Sequence, residues 1–248
     1  MVALQAGQTF FDTLRLNFTK VTIDGQTQEI NLEDIEAAYK ENVMDFENVD
    51  GNQKIRTDEF VQAVQGVINL FLQLNKGSSK GGFLSSIGSY TDPFKLVQSD
   101  MVGNVAKIES GKNYDQQPLQ DFLKPRADGM YNKKSPEEGM KWLLGGLQLT
   151  SEALSRSFAN PSEELSKSFS NAFPYTLRPV HLTMPGGSMT APLVSVSFSK
   201  VPSRETAYKE LRSPDVPEER LIQEMKEWLV GLKRVVRILS SFMAHGKN

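Results

Sequence analysis

The feature that most constrains the fold is a C-terminal run in which apolar residues recur at alternating steps of four and three. Its repeating members are Leu221, Met225, Trp228, Leu232, Val235, Leu239 and Phe242. This spacing predicts an amphipathic helix from about residue 217 to residue 243, and it resembles the seam of a coiled coil. Four further residues widen the seam to a broad apolar face, namely Ile222, Leu229, Val236 and Met243. A face of this width favours a helix buried in a bundle, so the chain must supply other helices to cover it.

Helical patterns fill most of the sequence after residue 31. We expect helices over residues 31–48, 57–74, 93–108, 117–123, 202–211 and 217–243, and two more that begin at residues 135 and 160. Residues 183–188 predict a loop, and residues 189–200 are compatible with either a helix or a strand. The sequence therefore predicts a single all-α domain over residues 32–248.

Two of these helices begin with the same pattern. Ser135-Pro-Glu-Glu138 and Asn160-Pro-Ser-Glu163 each place a capping side chain before a proline at the first helical position and a glutamate at the third. In the helix after the first pattern, Gly145-Gly146 costs about 1 kcal/mol per glycine relative to alanine. We therefore expect another segment to approach that helix closely at the two glycines.

The first 31 residues differ from the helical part. Residues 21–30 read Val-Thr-Ile-Asp-Gly-Gln-Thr-Gln-Glu-Ile, with Asp24-Gly25 as a tight turn between two short strands. Phe10 to Leu16 is compatible with a short amphipathic turn or strand. We therefore predict an N-terminal appendage over residues 1–31 that contains a small β-hairpin.

Composition excludes several classes of function. The chain has no cysteine, which excludes disulfides, thiolate metal sites and a cysteine nucleophile and fits a cytoplasmic location. Its net charge of −2 gives no broad attraction to nucleic acid, and no apolar run approaches the ~18 residues of a membrane-spanning helix. Residues 1–7 lack the pattern of a secretory signal. No catalytic serine motif or spaced carboxylate pair is present, so we expect neither an enzyme nor a cofactor.

Residues 48–60 can be aligned with a calcium-binding loop. Asn48, Asp50 and Asn52 fall on the first three ligand positions, and Glu59 falls on the last. The alignment fails at the first ligand, which is asparagine, and at the sharp-turn glycine, which is Gln53. The expected structure is an interhelical turn, with a calcium-responsive helical protein as a competing hypothesis.

Residues 97–108 carry the pattern that bears most on function. One stripe of the expected helix is apolar and consists of Val97, Met101, Val105 and Ile108. The adjacent stripe contains Asp100, Asn104 and Lys107, which place an anion, an amide and a cation on one face. Such a set can donate to and accept from a polyhydroxylated or amide-bearing ligand. Spacing alone favours a solvated helix face over a ligand-binding face. Other segments of the sequence are needed to distinguish these two interpretations.

Five segments, in order, resemble the glycolipid transfer protein family. Asp100-Met-Val-Gly-Asn-Val-Ala-Lys107 resembles the family pattern Asp-x-x-Gly-Asn-Ile-x-Lys. Phe60-Val-Gln-Ala-Val-Gln-Gly-Val-Ile-Asn-Leu-Phe71 is similar to the preceding helix of the family. Trp142-Leu-Leu-Gly-Gly-Leu147 and Ala172-Phe-Pro-Tyr-Thr-Leu-Arg-Pro-Val-His181 resemble its tryptophan and histidine segments. Val201-Pro-Ser-Arg-Glu-Thr206 resembles its Ala-Pro-x-Arg/Lys segment, so the match is specific and not carried by any single segment.

The resemblance implies a two-layer all-α sandwich that buries the chains of a lipid between its layers. It also implies that Asp100 and Asn104 bind sugar hydroxyls with help from Lys107, and that Trp142 stacks under the first sugar ring. Asp100 and His181 would hold the amide of ceramide. The chemistry agrees, because a carboxylate and an imidazole can bind an amide and an indole suits the C–H face of a hexose.

The chain departs from the family pattern near the expected amide-binding histidine. Phe173 replaces a tyrosine, and Pro174 and Pro179 interrupt what is usually a continuous helix. We expect these prolines to kink or break the helix before His181. The tryptophan that often follows near the histidine is absent, so the sequence does not identify the membrane-docking residues.

Three positions distinguish the two branches of the family. The branch that moves ceramide-1-phosphate has a cation at the position of Asn104 and arginine at the positions of Trp142 and Gly146. A phosphate would meet only Lys107 here. We therefore expect a soluble carrier that moves a glycosphingolipid with a neutral sugar headgroup between membranes, through transient contact with the membrane surface and without a nucleic-acid partner. A lipid sensor or adaptor on the same fold and a ceramide-1-phosphate carrier are the alternatives.

Overall fold

The computed structural model describes residues 3–40, 42–78, 93–126, 128, 130–182, 198 and 201–245. The α-helices in these ranges are α1 (Leu32–Lys40), α2 (Thr57–Ser78), α3 (Pro93–Glu109), α4 (Leu119–Phe122), α5 (Pro136–Ala159), α6 (Leu165–Ala172), α7 (Leu177–Leu182), α8 (Arg204–Glu210) and α9 (Glu218–His245). Turns of 3-10 helix cover Phe11–Thr13, Phe18–Lys20 and Tyr114–Gln116, and the same ranges contain the short strands β1 (Thr22–Ile23) and β2 (Gln26–Thr27). The predicted all-α fold with a small N-terminal hairpin is confirmed. The predictions for residues 183–188 and for nearly all of residues 189–200 lie outside the described residues.

The helix α5 lies at the centre of the helical sandwich. It packs against α3, α6, α7 and α9, while α2 packs against α3 and α8. Ser135 caps α5 as the sequence predicts, because its side chain accepts a hydrogen bond from the backbone N–H of Glu138 and Pro136 occupies the first turn. None of the helices in the described ranges combines the length and apolar character needed to cross a membrane.

The long C-terminal helix α9 buries the broad face that its sequence predicts. All seven repeating residues are at most 5% exposed, and Leu229 and Val236 are also fully buried. A face this wide needs partners on several sides, and α1, α5 and the N-terminal turns supply them. The bundle interpretation of this helix is therefore confirmed.

The N-terminal residues pack directly on α9. The ring of Trp228 lies 5.7 Å from that of Phe11 and 5.8 Å from that of Phe18. The backbone crosses α9 at Gly231, where a Cβ atom would lie 2.6 Å from the amide nitrogen of Thr19. These contacts join the N-terminal segment to the main core, whereas the predicted division at residue 31 stays a prediction.

The hairpin forms as predicted and connects to the segment before α2. Asp24 and Gly25 adopt φ angles of 52° and 78°, the left-handed conformations that a tight two-residue turn requires. Ile23 forms a bridge with Ile55. The carboxylate of Glu59 accepts a hydrogen bond of 2.6 Å from the backbone N–H of Thr22. The hairpin is thus fixed to the first turn of α2.

That bond also bears on the calcium hypothesis, because Glu59 was the expected last ligand. Asp50 accepts a hydrogen bond from the backbone N–H of Asn52, and Gly51 lies against the backbone of α9 at Phe242. Residues 48–56 form the expected turn before α2. In the ranges that the structure describes, no group of three histidine, cysteine or acidic residues is placed to hold a metal ion.

The helix predicted over residues 31–48 is shorter than expected. Asn31 caps it as predicted, since its side chain accepts a hydrogen bond of 2.9 Å from the backbone N–H of Asp34. The helix ends at Lys40. Beyond it, the backbone N–H of Val43 donates to Glu152 of α5 instead of to a helical carbonyl. This tertiary hydrogen bond holds the chain in a non-helical conformation.

The second capping pattern does not cap a helix. Asn160 ends α5, and α6 begins at Leu165 after Glu164, with no side-chain cap. The buried carboxylate of Glu163 instead accepts hydrogen bonds of 2.9 Å from Ser168 and 3.3 Å from Asn171. The prediction of a helix start at Asn160 is wrong because Glu163 binds side chains of α6 and not the turn that contains it.

The two prolines near His181 have different effects. Pro174 lies in the turn between α6 and α7, so the break predicted there is confirmed. Pro179 lies inside α7, and the prediction that it would disrupt the helix is wrong. It occupies the first turn of α7, where a backbone N–H has no helical acceptor and its loss costs little.

Candidate functional site

The helix α3 turns one apolar and one polar stripe toward its neighbours. Its apolar stripe is buried, with Val97, Met101, Val105 and Ile108 at most 7% exposed. In the polar stripe, Asn104 is buried, Lys107 is half-buried and Asp100 remains accessible to solvent. The stripe therefore runs from the surface into the contact between helices, unlike an ordinary solvated face.

The three polar residues form one hydrogen-bonded chain. The side-chain nitrogen of Asn104 donates to the Asp100 carboxylate at 2.9 Å. The Lys107 ammonium donates to the side-chain oxygen of Asn104, also at 2.9 Å. The flanking charges fix the orientation of the Asn104 amide, because its N–H group faces the anion and its oxygen faces the cation. The cluster is thus preorganised before any ligand arrives.

The environment of Asp100 raises the pKa of its carboxyl group above the ordinary value. Desolvation by the surrounding atoms raises the pKa of the carboxyl, and the hydrogen bond from Asn104 and the charge of Lys107 lower it by less. Asp100 also keeps contact with solvent at the surface end of the stripe. Its carboxylate accepts the hydrogen bond from Asn104 and has further acceptor positions for a ligand.

A glycine brings α5 into contact with this cluster. At Gly139, a Cβ atom would lie 2.8 Å from the backbone oxygen of Asn104 and 2.8 Å from the Cβ of Lys107. Only a glycine permits the two helices to cross this closely. Trp142 is three residues further along α5, so it lies within one turn of the crossing.

The indole of Trp142 is held by its own helix. Its ring N–H donates to the Glu138 carboxylate at 2.8 Å, and Lys141 lies 3.8 Å from the other carboxylate oxygen. Trp142 is 5% exposed. Sequence reasoning did not include Glu138 in the site, although its spacing of four residues from Trp142 would have suggested the contact.

The helix α7 approaches α5 at the first of the paired glycines. At Gly145 a Cβ atom would lie 3.1 Å from side-chain atoms of both Leu177 and Val180. At Gly146 it would meet only Met101, at an ordinary distance of 3.5 Å. The expected close approach is therefore confirmed at Gly145. His181 follows Val180 in α7, and its side chain lies outside the described part of the structure.

An aromatic cluster fills the interior between α2, α3 and α6. The ring of Phe94 lies 5.3 Å from that of Phe71 and 5.2 Å from that of Phe169. Phe198 lies 5.8 Å from Phe169 and 5.7 Å from Phe173. All five rings are at most 1% exposed. The α3 helix thus carries the polar cluster and also contributes Phe94 to a large apolar interior.

A helical sandwich that combines a preorganised polar cluster with an aromatic interior fits a class of proteins that bind amphiphilic molecules. A family model described as glycolipid transfer protein matches residues 55–213. A glycolipid transfer protein of Aureobasidium melanogenum is 30% identical over 247 residues, which are 98% of this chain and 97% of that protein. The chain therefore belongs to the glycolipid transfer protein family, whose members are lipid transfer proteins.

Solved structures of the family share this fold. The crystal structure of HET-C2, a fungal glycolipid transfer protein, matches with a TM-score of 0.66 and 26% identity, over 95% of this chain and 96% of that chain. The apo form of mouse ceramide-1-phosphate transfer protein matches with a TM-score of 0.58 and 17% identity, over 87% of this chain and 96% of that chain. The predicted sandwich of the glycolipid transfer type is confirmed.

Proposed function

We propose that this protein carries glycosphingolipids with a neutral sugar headgroup between membranes. The observation that supports this best is the hydrogen-bonded chain of Asp100, Asn104 and Lys107, which lies where α3 crosses α5 within one turn of Trp142. The cluster offers an anionic acceptor, an oriented amide and a cation, a combination that suits the hydroxyl groups of a sugar. We place this activity in the cytoplasm, which the absence of cysteine fits.

The same cluster is poorly suited to a phosphate group. Lys107 is its only cation, and this ammonium already donates to Asn104. The Asp100 carboxylate would repel a phosphate placed next to it. The cluster has no second cation to offset the negative charge of that phosphate. A phosphate needs several charge-assisted hydrogen bonds to replace its hydration. These features favour a sugar over ceramide-1-phosphate.

In this proposal, Trp142 stacks under the first sugar ring. The ring N–H at the edge of the indole donates to Glu138, and the sugar would stack against a face of the ring. Because Trp142 is 5% exposed, a sugar has to displace the atoms that cover the ring. His181, which follows Val180 in α7, would hold the ceramide amide together with Asp100.

The lipid chains would enter the interior between α2, α3 and α6. Protein interiors are close-packed, so the aromatic cluster has to move apart to admit a chain. Phenylalanine rings suit contact with a lipid chain because each ring offers a large apolar surface. The headgroup cluster and the apolar interior share α3, so one helix connects recognition of the sugar to burial of the chains.

The direct test is transfer of labelled galactosylceramide between vesicles by the variants Asp100→Val and Trp142→Ala. We expect Asp100→Val to slow transfer at least roughly tenfold, because hydrogen bonds to a charged group contribute about 1.5–3 kcal/mol. We expect Trp142→Ala to slow transfer as well, because the ring on which the sugar would stack is lost. Lys209→Gln, which changes an exposed residue of α8, serves as the matched control and should transfer like the parent. Circular dichroism checks that the variants are folded. Parent-like transfer by both site variants would refute the assignment.

The alternatives predict different results in the same assay. A lipid sensor or adaptor would bind galactosylceramide tightly and transfer it slowly or not at all. A ceramide-1-phosphate carrier would transfer that lipid faster than galactosylceramide. A mass spectrum of the lipid that co-purifies with the protein identifies the headgroup independently.

A further inference from the structure

A polar cleft lies where the N-terminal hairpin meets α9. Its volume is about 630 Å³, and its walls are the hairpin, the two residues that follow β2, Gln53 and Arg234. A neighbouring cavity of about 390 Å³ also contains Glu29, Gln53 and Arg234 and extends toward α1. None of the residues that line the two cavities belongs to α3, α5 or α7, so the cleft is separate from the proposed headgroup site.

Gln28 presents an unsatisfied amide to this cleft. The residue is 8% exposed, and neither its side-chain nitrogen nor its side-chain oxygen has a hydrogen-bond partner in the described structure. Buried amides almost always have partners, because an unpaired polar group in a protein interior is unfavourable. Gln28 directly follows β2, so the hairpin determines its position. A rotation of the Gln28 side chain would let a ligand in the cleft pair with both the donor and the acceptor of the amide.

Arg234 supplies a free cation to the same cleft. It is exposed, and its guanidinium has no hydrogen bond or ion pair within the described residues. The neighbouring cations on α9 form hydrogen bonds with other segments. Lys233 donates to the backbone oxygen of Ala38 at 2.6 Å, and Arg237 donates to the backbone oxygen of Asp45 at 3.0 Å. A free guanidinium can bind two oxygens of a phosphate at once.

Glu29 restricts the kind of anion that would bind. It lines both cavities, and its carboxylate forms no ion pair with Arg234 or with any other described cation. Asp24, the second carboxylate in the lining of the cleft, accepts a hydrogen bond from the backbone N–H of Lys54. A carboxylate repels a bare anion but accepts hydrogen bonds from hydroxyl groups. The cleft therefore suits a ligand that carries hydroxyl donors beside its anionic group.

We propose that this cleft is a second ligand site, which binds a phosphorylated polyol. Arg234 binds the phosphate, and the Gln28 amide and the Glu29 carboxylate bind hydroxyl groups. A volume of about 630 Å³ lies within the range of small-molecule sites. The same chemistry occurs in a soluble polyol phosphate and in a lipid headgroup. Because the residues and elements differ, the proposal stands independently of glycolipid transfer.

The test is titration of the full chain with myo-inositol 1-phosphate. Calorimetry and the NMR chemical shifts of the backbone amides in the hairpin measure binding. We expect the parent to bind, and we expect Arg234→Gln to weaken binding roughly tenfold because it removes a charge-assisted bidentate contact. Gln28→Leu should weaken binding several-fold. Lys209→Gln is the matched control and should bind like the parent. Sedimentation with phosphatidylcholine vesicles, with and without phosphatidylinositol, distinguishes the two sources of the ligand.

Arg234-dependent binding to the phosphatidylinositol vesicles would support a lipid headgroup, and binding of only the soluble ester would support a free metabolite. The proposal is overturned if neither probe binds at millimolar concentration. It is also overturned if Lys209→Gln weakens binding as much as Arg234→Gln, or if inorganic phosphate binds as tightly as the ester. Arg234 is exposed, so its variant should keep the parent melting temperature even if Gln28→Leu does not fold.

Discussion

At the scale of single residues, the raised pKa of Asp100 makes the stability of the protein depend on pH. Its folded pKa is raised by desolvation, so the folded state binds a proton more tightly than the unfolded chain does. Its contribution to stability is therefore most favourable below the unfolded pKa near 3.8 and is lost as the pH rises through the raised folded pKa. We therefore expect the ionised carboxylate to reduce the stability of the folded state at neutral pH.

The variant Asp100→Asn should separate stability from transfer. The new amide oxygen can still accept the hydrogen bond from Asn104, and the desolvated charge is removed. We expect a higher melting temperature than the parent at pH 7, and we expect this advantage to disappear as the pH falls below about 3.8. Galactosylceramide transfer should fall roughly tenfold, because the anionic acceptor is lost. A lower melting temperature at pH 7 would show that the carboxylate is not destabilising.

Glu138 is predicted to position the indole of Trp142. Replacing it with alanine removes the acceptor of the ring N–H, which should shift the NMR signal of that N–H group and reduce transfer roughly fivefold. Glu138→Gln keeps an acceptor and should restore most of the transfer. Glu137→Ala is the matched control, because this neighbouring residue accepts instead from the backbone N–H of Lys124. A reduction of equal size in both alanine variants would contradict the positioning role.

The sequence predicted some of these residues and not others. The spacing of Asp100, Asn104 and Lys107 placed them on one face, because helix periodicity is a local property. Glu138 was not predicted as a site residue because the pattern Ser135-Pro-Glu-Glu138 was already explained as the start of a helix. The role of Gly139 depends on where α3 crosses α5, a contact between segments far apart in sequence, and a single sequence does not contain that information.

At the scale of elements, local patterns were reliable only where tertiary contacts did not compete with them. The cap at Ser135 formed because its bond to the N–H of Glu138 requires nothing beyond the first turn. The similar pattern at Asn160 did not form because Glu163 binds residues of α6 instead. The helix α1 ended early for the same reason, since Glu152 of α5 binds the backbone after it.

The crossing of α3 and α5 gives a test with an internal control. Gly139→Ala should destabilise the protein by about 1–3 kcal/mol, because the new methyl group would press on backbone and on Lys107. Gly103→Ala, in α3, would meet nothing within 4 Å and should stabilise the protein by up to about 1 kcal/mol. Urea unfolding of both variants measures the difference. Equal stabilities would show that the helices do not cross as closely as described.

At the scale of the whole molecule, the wide apolar face of α9 correctly predicted a bundle. It did not predict that the N-terminal segment would cover part of that face. This contact depends on Gly231, where the segment crosses α9, and on the fit of Phe11 and Phe18 around Trp228. Hydrophobic periodicity tells which face is buried, but the identity of the covering segment is decided by shape and by contacts distant in sequence.

A transfer protein must also touch a membrane, and the turn around α7 offers a surface for this. Tyr175 and Leu182 are 70% and 51% exposed, while Leu177 and Val180 of the same segment pack inward on α5. Because α7 also carries His181, a membrane bound here would lie close to the proposed amide-binding residue. Tyrosine and leucine suit the boundary between lipid and water, where an apolar side chain gains from burial and a phenol hydroxyl stays hydrated.

We expect the double variant Tyr175→Ser, Leu182→Ser to bind phosphatidylcholine vesicles roughly tenfold more weakly and to transfer lipid more slowly, because it loses apolar area that would enter the bilayer. Its melting temperature should match the parent, since both side chains are exposed in the free protein. Met130→Ser is the control for exposed apolar area. Met130 lies in the loop before α5 and is 73% exposed. If Met130→Ser reduced vesicle binding to the same extent, docking would depend on general surface hydrophobicity and not on α7.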